Sequence, residues 1–482
     1  MNRRDFLKLS LQAIVMANCV RVSQAATALI PSNADIIIIG AGISGLAAAR
    51  LLKAKGYNVL ILEARNRIGG RIWTDNSLGM PLDLGASWIH GISNNPIKQL
   101  ADQFDIKTLP TNYEARQIFD RNGTPLRGNA DTTLAERYQA VYERVKAIQE
   151  QMLEDDLSDI SWQTALTQAL TKENFSSLEL EELYFSLNTE LEHEYAADLS
   201  ELSLFNFDEG GALKSEDHLF AGGYKQIIDK LVVDAKLTSN ILLTQVVKSI
   251  DYSQSKGVKV TTDKNVFSAL AVLVTLPLGV LKANTVSFTP SLPQKKQNAI
   301  KKLGFGTLNK TYFQFPNCFW TEDDDNDLFN FISSVKGHWT EWLNIHHYNK
   351  QPVLLGFNAG KYGKDIESLS DKALISDGMQ TLQKIYGKTI PDPKGYLITR
   401  WSADPYAKGA YSFIGVGASI KDYDELAQPV NNKLFFAGEA TSSEYAATVH
   451  GAFLSGEREA KNILSAVPLL KSAARKTTKK LK

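Results

Sequence analysis

Cysteine is rare in this sequence, neither sign of charge dominates, and no apolar run is long enough to cross a membrane. The 482 residues include two cysteines, Cys19 and Cys318, which excludes a fold held together by several disulfides. Lysine and arginine together number 53, and so do aspartate and glutamate. This balance gives no electrostatic reason to expect a nucleic-acid partner or an anionic membrane surface. No membrane-spanning helix is predicted, because such a helix needs about 20 apolar residues.

Length and composition indicate a soluble globular protein of two domains. Hydrophobic residues make up 44% of the chain and charged residues 22%, which is ordinary for a globular protein. A chain of 482 residues is longer than one compact core usually organises.

Three histidines, His338, His346 and His347, lie close together in the sequence, but their spacing is not that of metal ligands. No metal site is predicted.

The first 25 residues are predicted to be a removable export signal. Arg3 and Arg4 precede an apolar stretch of about a dozen residues, and small residues near Ala25 offer a cleavage site. The stretch resembles a twin-arginine signal, although Asn2 stands where serine or threonine is usual; an ordinary secretory signal is the alternative. The expected location is therefore the bacterial periplasm or the exterior. Removal of residues 1–25 leaves Cys318 alone, so no intramolecular disulfide is expected. Residues 469–482 are interpreted as a solvated basic tail.

The hydrophobic pattern after this segment predicts a βαβ unit. Asp35–Gly40 is a continuous β-branched run, which is typical of a strand buried on both faces. An alanine- and leucine-rich helix is predicted over Ile43–Gly56, and Tyr57–Glu63 is predicted to be the next buried strand. Alternation of this kind begins a doubly wound parallel sheet.

Glycines at the first turn of this unit indicate a dinucleotide site. Gly40 permits a tight turn, Gly42 lets the backbone approach a pyrophosphate, and Gly45 lets helix and strand pack closely. The N-terminus of the helix then presents free N–H groups to phosphate. Glu63 ends the second strand about 20 residues later, where a carboxylate accepts ribose hydroxyls. This favours FAD or NAD over a cofactor with a phosphorylated ribose.

The rest of the chain alternates between helical and strand patterns. Helical periodicity dominates from about Asn95 to Leu204, whereas strands are predicted near the middle and the end, including Ala269–Leu276 and Lys433–Ala437. The predicted fold class is α/β with two domains, in which a doubly wound Rossmann-type domain carries an inserted domain of mixed sheet and helices. The predicted nucleotide-binding segments are residues 34–95, 219–284 and 395–468, and the predicted substrate-binding segments are residues 96–218 and 285–394.

A second glycine pair follows Glu63 within Arg65–Arg71, and this span resembles the second glycine motif of the flavin-containing amine oxidase superfamily. Further blocks are similar to the polyamine oxidases and the lysine-specific histone demethylases of that superfamily, and together they run from about Asp35 to Leu464. These blocks are Leu84–Gly91, Thr275–Lys282, Lys302–Lys310, Arg400–Tyr411 and Phe436–Arg458.

The resemblance implies FAD as the cofactor. The flavin is expected to be non-covalent, because Ala410 stands where monoamine oxidases have the cysteine that bonds it. Glu439 matches an acidic residue near the ribityl chain and pyrophosphate, and Val246 matches a backbone contact to adenine. The residues expected to bind the cofactor are Gly40, Gly42, Ile43, Ser44, Gly45, Glu63, Ala64, Arg65, Gly70, Arg71, Gly85, Ala86, Ser87, Trp88, Val246, Trp401, Gly438, Glu439, Thr448 and Val449.

The resemblance also implies which side chains surround the substrate. Lys310 matches the lysine that holds a water beside flavin N5, and Tyr411 and Tyr445 match aromatic residues beside the amine path. Trp401 matches a further active-site aromatic residue. His90 stands where spermine-type polyamine oxidases also have histidine, although a structural hydrogen bond is an alternative role. Acidic residues that could attract a distal ammonium group include Asp198, Glu201 and Glu209.

The function that follows from the resemblance is FAD-dependent oxidation of an amine, with a polyamine as the expected substrate. Hydride passes from the carbon beside nitrogen to flavin N5, water hydrolyses the imine, and dioxygen gives hydrogen peroxide. The same glycine motifs also occur in L-amino-acid oxidases and in carotenoid or porphyrin desaturating enzymes, and a monoamine or L-amino-acid oxidase is the alternative. A dehydrogenase would show the same motifs with another electron acceptor. A non-catalytic flavoprotein that binds a partner is the third alternative.

Overall fold

An eight-stranded sheet forms the centre of the computed structural model, which describes residues 33–171, 173–320 and 325–467. The middle strand, Asn33–Ile39, pairs in parallel with Val59–Leu62 on one side and Val266–Val274 on the other. In this register Ile36 lies opposite both Val59 and Ala271. The remaining strands of this sheet are Ile241–Leu242, Val247–Asp251, Val258–Thr262, Ser287–Thr289 and Leu434–Phe436.

The middle strand is buried on both faces, as its β-branched sequence predicts. Ile36 and Ile38 belong to one hydrophobic core and Ile37 and Ile39 to another, because successive side chains of a strand point to opposite faces. Helices cover the sheet, and the helix Ile43–Ala54 packs against the C-terminal helix. The α/β fold class with a doubly wound sheet is confirmed.

A second large sheet, of six strands, is predominantly antiparallel. Its strands, in spatial order, are Gly395–Ile398, Leu308–Gln314, Val353–Ala359, Glu341–Asn344, Leu328–Phe331 and Arg116–Phe119. A three-stranded sheet consists of Trp88–Ile89, Asp217–Phe220 and Thr108–Thr111. Two small ladders pair Thr74–Asp75 with Leu82–Asp83 and Gly304–Phe305 with Ser412–Phe413.

The helices of the described residues are mostly short and amphipathic. None of them is both long and apolar enough to span a lipid bilayer. In chain order the α-helices are Ile43–Ala54, Pro96–Gln103, Ala130–Glu154, Trp162–Leu170, Ser177–Leu187, His193–Tyr195, Lys225–Asp234, Leu278–Lys282, Gln294–Lys302, Ile345–Asn349, Gly360–Asp365, Asp371–Tyr386, Ile420–Ala427 and Val449–Ala466. A π-helical turn, Asn188–Glu192, separates the fifth helix from the sixth.

The structure differs from the sequence-based prediction in two places. Thr108–Thr111 and Arg116–Phe119 are strands inside a segment that was predicted to be helical. Each has four residues and pairs with a strand far along the chain, so local periodicity cannot identify it. The strand Gly395–Ile398 joins the six-stranded sheet, although it lies inside a predicted nucleotide-binding segment.

The export signal and the basic tail lie outside the described residues, and the domain boundaries stay predictions.

Candidate functional site

A cavity of about 1270 Å³ extends from the first glycine turn to the six-stranded sheet. Its wall contains every residue predicted to bind the cofactor except Gly45. The side chains predicted to surround the substrate also lie on the wall, with the exception of Tyr445. The sequence motifs, which are hundreds of residues apart along the chain, therefore converge on one space.

The glycine turn forms one end of this cavity. Gly42 is the N-cap of the helix Ile43–Ala54, has extended backbone angles, and provides no side-chain cap. A Cβ atom on Gly42 would meet no atom within 4 Å, so the space beside this helix N-terminus is open. By contrast, a Cβ atom on Gly45 would lie 2.2 Å from the carbonyl oxygen of Gly40. Gly45 therefore serves close packing of helix against strand, which explains its absence from the wall.

Glu63 lies in the same end of the cavity, with its carboxylate buried. One carboxylate oxygen accepts the backbone N–H of Ala41 and the other that of Arg65, both at 2.8 Å. Burial raises the pKa of Glu63, and the two backbone hydrogen bonds oppose that rise. The Arg65 guanidinium forms a bidentate ion pair with Asp404 at 2.8 and 2.7 Å, so its charge is neutralised within the protein.

Val246 lines the cavity near Glu63, but its backbone is already engaged. Its N–H donates to the Asp263 carboxylate at 3.0 Å, and its carbonyl accepts the Asp263 N–H at 2.9 Å. The adenine contact predicted for Val246 therefore has only the second lone pair of that carbonyl to use.

Arg71 and Glu439 join the second glycine segment to the C-terminal segment. The Arg71 Nη1 donates to Glu439 at 2.9 Å and to the carbonyl of Ala410 at 2.8 Å. The second oxygen of Glu439 accepts the Ser412 hydroxyl at 2.5 Å and the Ala447 N–H at 3.1 Å. Arg71 was predicted to meet phosphate, and it would do so through its remaining guanidinium nitrogens.

Lys310 is almost completely buried, with 3% of its surface exposed. Its ammonium donates to the carbonyls of Asp83 and Gly85, at 3.1 and 2.6 Å, and to the Ser87 hydroxyl at 2.5 Å. Burial lowers the pKa of Lys310 to about 8, and the nearby Asp83 carboxylate opposes this effect. Burial raises the pKa of Asp83 to about 6. The lysine therefore secures the loop Asp83–Ser87, and its burial makes it lose its proton more readily than an exposed lysine does.

Two of the predicted aromatic residues are fixed by hydrogen bonds. The Trp401 indole donates to the carbonyl of Leu84 at 3.0 Å. The Tyr411 hydroxyl donates to the carbonyl of His193 at 2.6 Å. Both side chains line the cavity, and each is tied to a different part of the wall.

Tyr445 is not among the residues of the wall, and its place beside the amine path stays a prediction. Its ring packs edge-on against His450, with ring centroids 5.0 Å apart. His450 itself lines the cavity in the first turn of the C-terminal helix, and burial lowers its pKa to about 4. Tyr445 therefore contacts a residue of the wall directly.

His90 faces the cavity and binds Asp217. Its Nδ1 lies 2.8 Å from the Asp217 carboxylate, which also accepts the Gly91 N–H and the Tyr113 hydroxyl. Burial lowers the pKa of His90. The hydrogen bond to Asp217 and the negative charge of Asp217 outweigh this effect, so the pKa of His90 is raised overall. His90 therefore has the structural hydrogen bond, and because it also lines the cavity its role beside the substrate stays a prediction.

Comparison with known proteins gives these features their context. The family model described as flavin-containing amine oxidoreductase matches residues 43–464. The chain is a member of that family. It is a flavin-dependent amine oxidase, and the predictions of family, enzyme class and FAD cofactor are confirmed.

Several curated and solved relatives agree with this assignment. Probable polyamine oxidase 4 of Arabidopsis thaliana is 34% identical over 439 residues, which cover 89% of this chain and 86% of the relative. Human lysine-specific histone demethylase 2 is 35% identical over 446 residues, or 89% of this chain and 53% of that protein. A putrescine oxidase bound to putrescine has a TM-score of 0.74 at 21% identity, covering 90% of this chain and 99% of the other. At 21% identity, the likeness to putrescine oxidase supports the fold alone.

The residues of this amine oxidase fit FAD. Gly42 leaves open space beside an uncapped helix N-terminus, which suits a pyrophosphate. Glu63 is placed to receive ribose hydroxyls, and Thr448 and Val449 begin the C-terminal helix on the same wall. Among the described residues no cluster of three His, Cys, Asp or Glu side chains is arranged to hold a metal ion.

Replacing Gly42 with leucine is expected to abolish flavin binding without unfolding the chain. The backbone angles of Gly42, φ −77° and ψ 175°, suit any residue, and its Cβ would meet nothing in the protein. The leucine side chain would instead fill the space beside the helix N-terminus. The ratio of flavin absorbance to protein absorbance, with circular dichroism as the check on folding, measures both effects. We call the part of the cavity wall formed by Gly42, Glu63, Thr448 and Val449 the cofactor cradle. A Gly42→Leu protein that retains one flavin per chain would refute the assignment of this cradle to FAD.

An acidic wall that sequence analysis did not identify lies across the same cavity. It consists of Glu114, Glu190, Glu194 and Glu341, which come from a turn, a π-helical turn, a short helix and a strand. Burial raises the pKa of Glu190, and the other three carboxylates raise it further, while a nearby arginine opposes them. No local motif could have revealed this wall, because its members meet only in the tertiary structure.

The acidic residues suggested from the sequence are placed differently. Asp198 lies 3.5 Å from Lys336, and neither Asp198 nor Glu201 lines the cavity. Glu209 does line the cavity, but one of its oxygens accepts the N–H of Ile420. The acidic wall is therefore the stronger candidate for contact with a cationic substrate.

Proposed function

We propose that this amine oxidase acts on polyamines, with one nitrogen beside the flavin and a second, charged nitrogen at the acidic wall. The observation that carries the proposal is that the cofactor cradle and the acidic wall share one cavity. Carboxylates that raise each other's pKa are stabilised by a cation placed between them. A substrate with two or more amines meets both requirements, whereas a monoamine places no second cation at the acidic wall, where Arg116 offsets the carboxylates only in part.

Bound FAD would supply the redox chemistry, accepting hydride from the carbon beside nitrogen and passing electrons to dioxygen. The protein orients the amine between the cofactor site and the acidic wall. Lys310 holds the loop Asp83–Ser87 against the cavity and can exchange a proton near pH 8. The rings of Trp401 and Tyr411 give the cavity apolar faces that suit the alkyl chain of a polyamine.

A panel of amines tests this proposal directly. The purified enzyme is expected to release peroxide with putrescine, spermidine or spermine. It is expected to use butylamine about tenfold less efficiently or worse, which corresponds to about 1.4 kcal/mol of lost binding free energy. Turnover of aromatic monoamines alone would contradict it. The double variant E190Q/E194Q should lose most of the preference for spermidine over butylamine. Glu150→Gln, on an exposed helix surface, serves as the control.

L-amino acids belong in the same panel because of one observation. Arg116 lines the cavity, and its buried Nε has no hydrogen-bond partner. A guanidinium in this position could receive a substrate carboxylate. The surrounding acidic wall opposes an anionic group, so amino-acid turnover is expected to be the weaker activity.

A further inference from the structure

The π-helical turn Asn188–Glu192 has two faces with different surroundings. Thr189 and Glu190 face the cavity, and Glu194 lines it one turn later. Asn188 and Glu192 point the other way and are buried, with 1% and 2% of their surfaces exposed. A π-helical turn is rare and is frequently found at functional sites, so the contacts that hold this one in place bear on the cavity.

Buried polar contacts hold the rear face of this turn. The Asn188 amide donates to Glu192 at 2.9 Å, and the Asn188 carbonyl oxygen accepts the Thr340 hydroxyl at 2.6 Å. Glu192 also accepts the Leu199 N–H at 3.1 Å and the Lys336 ammonium at 2.7 Å. These contacts satisfy both side-chain oxygens of a carboxylate that would otherwise be costly to bury.

Lys336 reaches the turn from a different part of the fold. It lies in the loop between the strands Leu328–Phe331 and Glu341–Asn344 of the six-stranded sheet. Its ammonium contacts Glu192 and, at 3.5 Å, Asp198, and these partners raise its pKa despite burial. The same sheet supplies Glu341 to the acidic wall, so Lys336 ties the π-helical turn to the strand that carries Glu341.

We propose that the Lys336–Glu192 ion pair is a positioning device that determines how this enzyme selects substrates with a distal ammonium group. The pair touches neither the substrate nor the cofactor. It holds the π-helical turn so that Glu190 and Glu194 face Glu341 across a fixed gap. This inference rests on the proposed polyamine function and assigns the residues outside the cavity on which that specificity depends.

Steady-state kinetics of Lys336→Met holoenzyme test the inference. We expect the KM for spermidine to rise about tenfold, the effect of losing one well-placed ion pair, with kcat unchanged. The kinetic constants for butylamine and the flavin absorbance spectrum should not change. Lys336→Arg, which keeps the charge, should restore most of the affinity for spermidine.

A matched control separates this effect from general destabilisation. Lys361→Met removes an exposed lysine whose partner is Asp365 on the same surface helix, and it should change neither substrate's kinetics. If Lys336→Met does not fold, Thr340→Val removes one hydrogen bond from the same rear face and should raise the KM for spermidine by a smaller factor.

Two negative results have different meanings. A wild-type enzyme that does not oxidise spermidine overturns the polyamine proposal and, with it, this inference. A wild-type enzyme that oxidises spermidine, together with variants that lower kcat for both amines equally or leave the KM unchanged, overturns the positioning role alone.

Discussion

Replacing Lys310 with methionine is expected to slow amine oxidation at least about a hundredfold, the usual contribution of a positioned acid–base group, while the flavin stays bound. The ammonium makes three hydrogen bonds to the loop Asp83–Ser87, and methionine can make none of them. The loop then loses the lysine anchor and keeps, from this strand, the Tyr312 hydroxyl, which donates to the Asp83 carbonyl at 2.8 Å. Stopped-flow measurement of flavin reduction by spermidine isolates the chemical step.

The same variant should change how stability depends on pH. The pKa of Lys310 is about 8 in the folded chain, against about 10.4 in an unfolded chain. Between these values the unfolded state binds more protons, so the free energy of unfolding rises with pH by up to about 3 kcal/mol. This contribution is complete above about pH 10.4 and is lost as the pH falls through 8. Lys310→Met should lack it, as judged by urea unfolding at pH 7.5 and pH 9.5.

Lys372→Met, at an exposed helix position, is the control for both measurements and should match the wild type. Equal rates of flavin reduction in wild type and Lys310→Met would refute the catalytic role. A pH dependence of stability that survives in Lys310→Met would show that another group titrates in this range.

Replacing Glu439 with alanine is expected to yield flavin-free protein with its free energy of unfolding lowered by about 3–5 kcal/mol, the usual effect of breaking a buried ion pair. The change leaves the partly buried Arg71 guanidinium without its partner and removes the acceptor for Ser412 and the Ala447 N–H. Glu439→Gln should be milder, because an amide oxygen can still accept hydrogen bonds. Urea unfolding and flavin absorbance measure the two effects.

Glu457→Ala provides the comparison, because Glu457 also pairs with an arginine but is more exposed. Its contact with Arg50 is 3.4 Å long, and removing it should cost less than about 1 kcal/mol. Equal losses of unfolding free energy in Glu439→Ala and Glu457→Ala would contradict this prediction. They would show that the Arg71–Glu439 ion pair does not stabilise the cofactor cradle.

The cofactor half of the site could be predicted from sequence because its determinants are local. The buried strand before Gly40, the glycine spacing and Glu63 lie within 30 residues, and each imposes a specific backbone geometry. Family resemblance then extended this prediction to distant segments such as Glu439 and Val449. These residues do lie on one cavity wall.

The residues of the site that face the substrate could not be predicted in this way from the sequence. The acidic wall combines carboxylates from four elements, and a π-helical turn leaves no periodicity that identifies it. Asp198 was a reasonable candidate by position, yet its negative charge is taken up by Lys336.

The contact between Arg71 and Glu439 joins residues that are 368 positions apart along the chain. The strand Leu434–Phe436 and the helix Val449–Ala466 likewise complete the central sheet and the cradle wall from the far end of the sequence. A ribosome must therefore synthesise nearly the whole polypeptide before the cradle for FAD exists. Cofactor capture is consequently a late event in the biogenesis of this enzyme, and nascent chains that stop before residue 434 lack a complete place to receive it.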